Sequence, residues 1–101
     1  MSIEKKFLKT KPVCKVKFSL NGGLYTGASS VSLAGDFNNW QADQTPMKKS
    51  KEGVWSVTLD LPSGNAYQYK FLVNGTEWIN DPAAERLVPG GMGSENSLLE
   101  I

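Results

Sequence analysis

Polar and apolar residues alternate one by one along three stretches of this chain, each closed by turn-forming residues. In Val13–Leu20 the apolar set is Cys14, Val16, Phe18 and Leu20, against Lys15, Lys17 and Ser19. In residues 54–61 it is Trp55, Val57, Leu59 and Leu61, against Ser56, Thr58 and Asp60. In residues 66–73, Tyr67, Tyr69, Phe71 and Val73 face one way, and Gln68, Lys70 and Leu72 the other. A period of two marks a half-buried strand. Shorter strands are expected at 31–34, 45–48, 77–79 and 97–101, with turn signals at Asn21-Gly-Gly23, Glu52-Gly53, Pro62-Ser-Gly64, Asn74-Gly75 and Pro89-Gly-Gly91. No useful helical period occurs. About seven short strands so spaced predict an all-β antiparallel sandwich of immunoglobulin-like type. Its core should gather Leu33, Trp55, Val57, Tyr69 and Phe71.

A chain of 101 residues makes one domain with a single core. Residues 1–12, with Lys5, Lys6, Lys9 and Lys11, read as a mobile basic tail, and 13–101 as the domain. A formal charge of +1 argues against nucleic-acid or membrane-surface binding by bulk charge. No apolar run is long enough for a membrane span, and the first residues lack the apolar stretch of a secretory signal. The single cysteine, Cys14, fits the same reducing, cytoplasmic setting. The absence of histidine removes the commonest general base and most zinc sites. The carboxylates Asp36, Glu77, Asp81 and Glu95 sit in turn-like company, where a glycosidase needs two facing across a cleft. No catalytic residue, cofactor or metal is expected.

The three tryptophans differ in context. Trp55 shares an apolar face with Val57, Leu59 and Leu61 and belongs to the core. Trp40 ends the run Val31-Ser-Leu-Ala-Gly-Asp-Phe-Asn-Asn-Trp40, just past a polar turn, where a flat ring suits a ligand better than a core. Trp78 depends on register. A two-residue Asn74-Gly75 turn pairs Phe71 with Trp78 and sends the indole inward. A three-residue loop pairs Leu72 with Trp78, puts the indole on the outer face beside Lys70, and turns Ile79 inward. The second arrangement buries the aliphatic residue and is preferred. Two exposed indoles with a cation and amides nearby suit a sugar, since rings stack on pyranose faces and polar groups take the hydroxyls.

The segments Leu33-Ala-Gly-Asp-Phe-Asn-Asn-Trp40, Leu59-Asp-Leu-Pro-Ser-Gly64, Tyr67-Gln-Tyr-Lys-Phe71, Asn74-Gly-Thr-Glu-Trp78, Asp81-Pro82 and Asn96-Ser-Leu-Leu99 together resemble carbohydrate-binding module family 48. These are the early-set, glycogen-binding domains of AMP-activated protein kinase β subunits, isoamylases and glycogen branching enzymes. The resemblance runs from about residue 31 to the end, with Val13–Leu20 as the first strand. The whole chain is similar to small free-standing bacterial copies without a catalytic domain. The resemblance implies a non-catalytic module for α-1,4-linked glucan (glycogen, starch or maltooligosaccharide), with Trp40 and Trp78 as stacking platforms and Lys70 and Asn96 as hydrogen-bonding groups. By pattern alone Lys70 is an ordinary surface lysine, and Asn96 equally a turn residue. In the family's late binding loop, often Leu-Gly-Thr, this chain has Met92-Gly-Ser94. Met92 keeps an apolar contact and Ser94 a hydroxyl. The alternative is a protein-docking module detached from a branching or debranching enzyme, using Leu72 and Leu98 on outer faces, with a glycogen-metabolising enzyme as partner.

Overall fold

The computed structural model describes residues 3–10, 12–20, 28–91 and 94–101. Among the described residues nine strands run in the order β1 Ile3–Phe7, β2 Val13–Leu20, β3 Val31–Gly35, β4 Lys48–Lys49, β5 Trp55–Pro62, β6 Ala66–Val73, β7 Glu77–Ile79, β8 Arg86–Gly91 and β9 Ser94–Glu100. They form two antiparallel sheets, ordered β1-β2-β5-β4 and β3-β6-β9-β8, with β7 also paired to β6. This is the expected immunoglobulin-like early-set sandwich. Among the described residues the only helical pieces are single 3-10 turns at Asp36–Asn38 and Ala42–Gln44, and no helix is long and apolar enough to cross a membrane.

The alternation read from the sequence becomes the core. Cys14, Val16, Phe18 and Leu20 of β2 and Trp55 and Leu61 of β5 meet Leu33, Tyr69, Phe71, Val73 and Leu99 of the other sheet, with Val57 partly buried against them. Phe18 lies edge-on to Tyr69 at 5.1 Å between ring centroids, an arrangement that suits the ring quadrupoles. The register pairs Leu20 with Trp55 and Cys14 with Leu61, so one face of β2–β5 is apolar throughout.

Three expectations need correction. Residues 3–7, expected in a mobile tail, form edge strand β1, paired residue for residue with β2 from Ile3 opposite Phe18 to Phe7 opposite Cys14. Ile3 is buried, and Lys5, inward by alternation, ion-pairs with Glu85 at the mouth of the sandwich. A lysine at an inward position hid the period of two. Strand β8 was also missed, because Pro89, Gly90 and Gly91 read as a turn. It is a sheet edge with a bulge between Pro89 and Gly91, where proline and glycine are tolerated. The strand expected at 45–48 is a crossover. Leu33 N donates to Thr45 O and Met47 N to Val31 O, and the chain then pairs with β5 at Lys48 and Lys49.

Strand β6 positions the site. It gives one edge to β3 along residues 69–73. The other edge is shared end to end: β9 pairs up to Tyr69 opposite Ser97, and β7 takes over at Phe71 opposite Ile79. Lys70 is the residue at the handover, with its side chain on the outer face.

Candidate functional site

The β6–β7 register is that of the three-residue loop. Leu72 faces Trp78 and Phe71 faces Ile79, while Asn74 and Gly75 take left-handed φ values of 54° and 71°. Trp78 therefore stands on the outer face of the second sheet, 47% exposed. Asn74 Oδ1 accepts from the backbone N–H groups of Ser29 and Ser30, which fixes the loop against the neighbouring segment.

Trp40 reaches the same face from the loop after β3. Asn38 holds that loop closed: its Oδ1 accepts from Gly35 N, and its Nδ2 donates to Leu33 O and Thr45 Oγ1. Asn39 and Trp40 follow at φ 55° and 60°. A bulky residue in this region costs on the order of 1–2 kcal/mol against its right-handed alternative. Trp40 N donates to Gly35 O at 2.9 Å, and the indole Nε1–H to Asp36 Oδ1 at 3.0 Å. The other Asp36 oxygen accepts from Gln68 N at 2.9 Å. Gly35 permits this close approach, since a Cβ there would stand 2.5 Å from Gln68 O.

Trp40, Trp78, Lys70 and Asn96 line one open cavity of about 560 Å³ with Asp36, Gln68 and Gly90. Asn96 Nδ2 donates to Gln68 Oε1 at 3.0 Å, and its amide lies where a Cβ on Gly90 would fall, 2.6 Å from Nδ2. The β8 bulge thus leaves room for the Asn96 side chain. Lys70 makes no ion pair or hydrogen bond among the described residues, so its charge is available to a ligand. Ser94 opens β9 as an exposed residue outside the cavity lining. Met92 lies outside the described residues. Asp36, Gln68 and Gly90 were missed as lining residues, since only the tertiary register brings them there.

A polar chain runs from the core outward at the junction of β7 and β9. Tyr69 Oη donates to Asp81 Oδ2 at 2.8 Å, Asp81 N donates to Ser97 Oγ, and Ser97 Oγ donates to Asn80 Oδ1. Asn80 Nδ2 then donates to Glu95 O. Burial, with the adjacent Asp81 carboxylate, pushes the Tyr69 phenol far above its ordinary pKa, so it stays a donor. These bonds stitch the exit of β7 to β9, the two strands that carry Trp78 and Asn96. Asp81 is 3% exposed and committed to this chain. Among the described residues no cluster of three or more potential metal ligands occurs. Leu98, expected on an outer face, is 7% exposed, and Leu72 is half-buried on the outer face beside Trp78.

Residues 24–84 match the carbohydrate-binding module 48 (isoamylase N-terminal domain) family, and the chain belongs to it. Its relatives include the chloroplastic protein PTST homolog 2 of Arabidopsis thaliana, 43% identical over 74 residues, or 73% of this chain and 13% of that protein. Another is the 1,4-alpha-glucan branching enzyme GlgB of Aquifex aeolicus, 42% identical over 78 residues, or 64% of this chain and 12% of the enzyme. The chain thus corresponds to a small part of either relative. Among solved structures, the enterobactin esterase FES of Shigella flexneri superposes with a TM-score of 0.76 at 17% identity, covering 99% of this chain and 32% of that one. That likeness is one of fold alone.

Proposed function

We propose that the cavity on the outer face of the second sheet binds an α-1,4-linked glucan (glycogen, starch or a maltooligosaccharide) without chemically changing it. The observation that carries this is the meeting of Trp40, Trp78 and Lys70, which has no partner among the described residues, on one open surface, in a chain that belongs to a carbohydrate-binding family. Sugar rings stack on the indoles, and Lys70, Asn96 and Gln68 take hydroxyls. With each stack contributing ~1–3 kcal/mol, binding falls in the micromolar to millimolar range. The family resemblance adds Met92 and Ser94 as further sugar contacts. The relatives named for glucan branching support a glucan as the ligand class, and a glycogen-metabolising enzyme is the proposed partner.

The test is titration with maltoheptaose, followed by tryptophan fluorescence, with a β-linked glucan of equal length as control. A saturable change with the α-linked chain is expected. No change up to the solubility limit, or an equal response to both, overturns the proposal.

A further inference from the structure

Asp36 has a role that its place in a turn does not explain. Its two carboxylate oxygens accept from two different elements at once, the Trp40 indole N–H and the Gln68 backbone N–H. It makes no ion pair with Lys70, although both line the same cavity. The loop it serves has two successive non-glycine residues in the left-handed region, ending on the platform tryptophan itself. A backbone held there needs an external constraint, and the 3.0 Å indole bond is the side-chain contact that supplies one.

We infer that Asp36 is a positioning residue: its carboxylate fixes the Trp40 ring by the N–H and ties it to β6, so that the indole presents its face rather than its N–H to the ligand. This deepens the glucan proposal and rests on it. A carboxylate suits the role because it is an acceptor at both oxygens. An asparagine offers one acceptor and one donor, so one of the two N–H groups would meet another donor. Gln68, tied to Asp36 through its backbone and to Asn96 through its side chain, carries the same constraint across the cavity floor.

The test needs two measurements on the full chain. In the ligand-free protein, hydrogen exchange of the indole N–H groups is followed by NMR. Trp40 should exchange several-fold more slowly than Trp78, whose N–H has no partner among the described residues. Equal rates overturn the inference whether or not any variant folds. Maltoheptaose affinity is then measured for Asp36→Asn, Trp40→Phe and the double variant. Asp36→Asn should weaken binding about fivefold, less than the full loss of a charged hydrogen bond because the carboxylate acts through the ring. In the Trp40→Phe background, which keeps a ring but has no N–H, the same change should cost less than about twofold. An equal loss in both backgrounds means that Asp36 acts on the fold or the sugar directly, and the inference fails. Absence of binding by the unaltered protein instead removes the glucan proposal, while the exchange rates still decide whether Asp36 holds the ring.

Discussion

The outer faces of the two sheets are built from the same alternating pattern and end as different surfaces. On the first sheet, Glu4, Lys6, Lys15, Lys17, Thr58 and Asp60 point outward in an unbroken ladder. Lys15 and Asp60 pair at 3.2 Å with both side chains about half exposed, a contact of little net stability. The second sheet is interrupted. β6 changes partner at Lys70, β8 bulges at Gly90, and loops deliver Trp40 and Trp78 to the break. The ladder's hollow, about 260 Å³, is lined by lysines, Glu4 and Thr58, whereas the break opens one of about 560 Å³ that two indoles wall.

The largest expected effect lies beneath both faces. Trp55 is 6% exposed, and Trp55→Ala should cost ~3–5 kcal/mol in urea unfolding, enough to threaten a domain this small. Next, Trp40→Ala and Trp78→Ala should each weaken maltoheptaose binding at least tenfold, about 1.4 kcal/mol, with far smaller changes in unfolding. If Trp78→Ala unfolds the domain, its indole belongs to the core and the contrast between the tryptophans collapses.

The backbone at Trp40 allows a sharper comparison. Trp40→Gly and Trp40→Ala should lose binding equally, yet the glycine variant should be the more stable by about 1 kcal/mol, because only glycine adopts φ 60° without penalty. Lys70→Met, which keeps the stem and removes the charge, should weaken binding about threefold. Smallest of all, Lys17→Ser on the opposite face should leave affinity unchanged and stability within ~0.5 kcal/mol. A clear loss of affinity there would mean that the two faces are not independent.

Much of this contrast was legible in the sequence because burial on one side of a strand enforces a period of two. The strands Val13–Leu20 and Ala66–Val73 have the same bounds in the sequence reading and in the structure. The outward Trp78 followed from asking which register buries Ile79. Strand β1 was hidden because Lys5 occupies an inward position and finds Glu85 some eighty residues on. Strand β8 was hidden because a bulged edge uses the residues that usually end strands. Asp36 was visible only as a carboxylate in a turn, and the parts of Gln68 and Gly90 could not be read. Apart from the Asp36–Trp40 bond four residues on, their roles are bonds and clearances between segments about thirty residues apart or, for Gly90 and Asn96, across a bulge, and no local pattern encodes either.

The cavity takes residues from β6, β7, β8 and β9 and from the loop leaving β3. No part of the second sheet can detach without dismantling it. Any ligand it accepts is therefore thermodynamically linked to global unfolding: at a hundred times its dissociation constant it adds about 2.7 kcal/mol to the native state. Melting temperature becomes an assay for occupancy, and the amides of the second sheet's five strands should gain exchange protection together when the sugar is added.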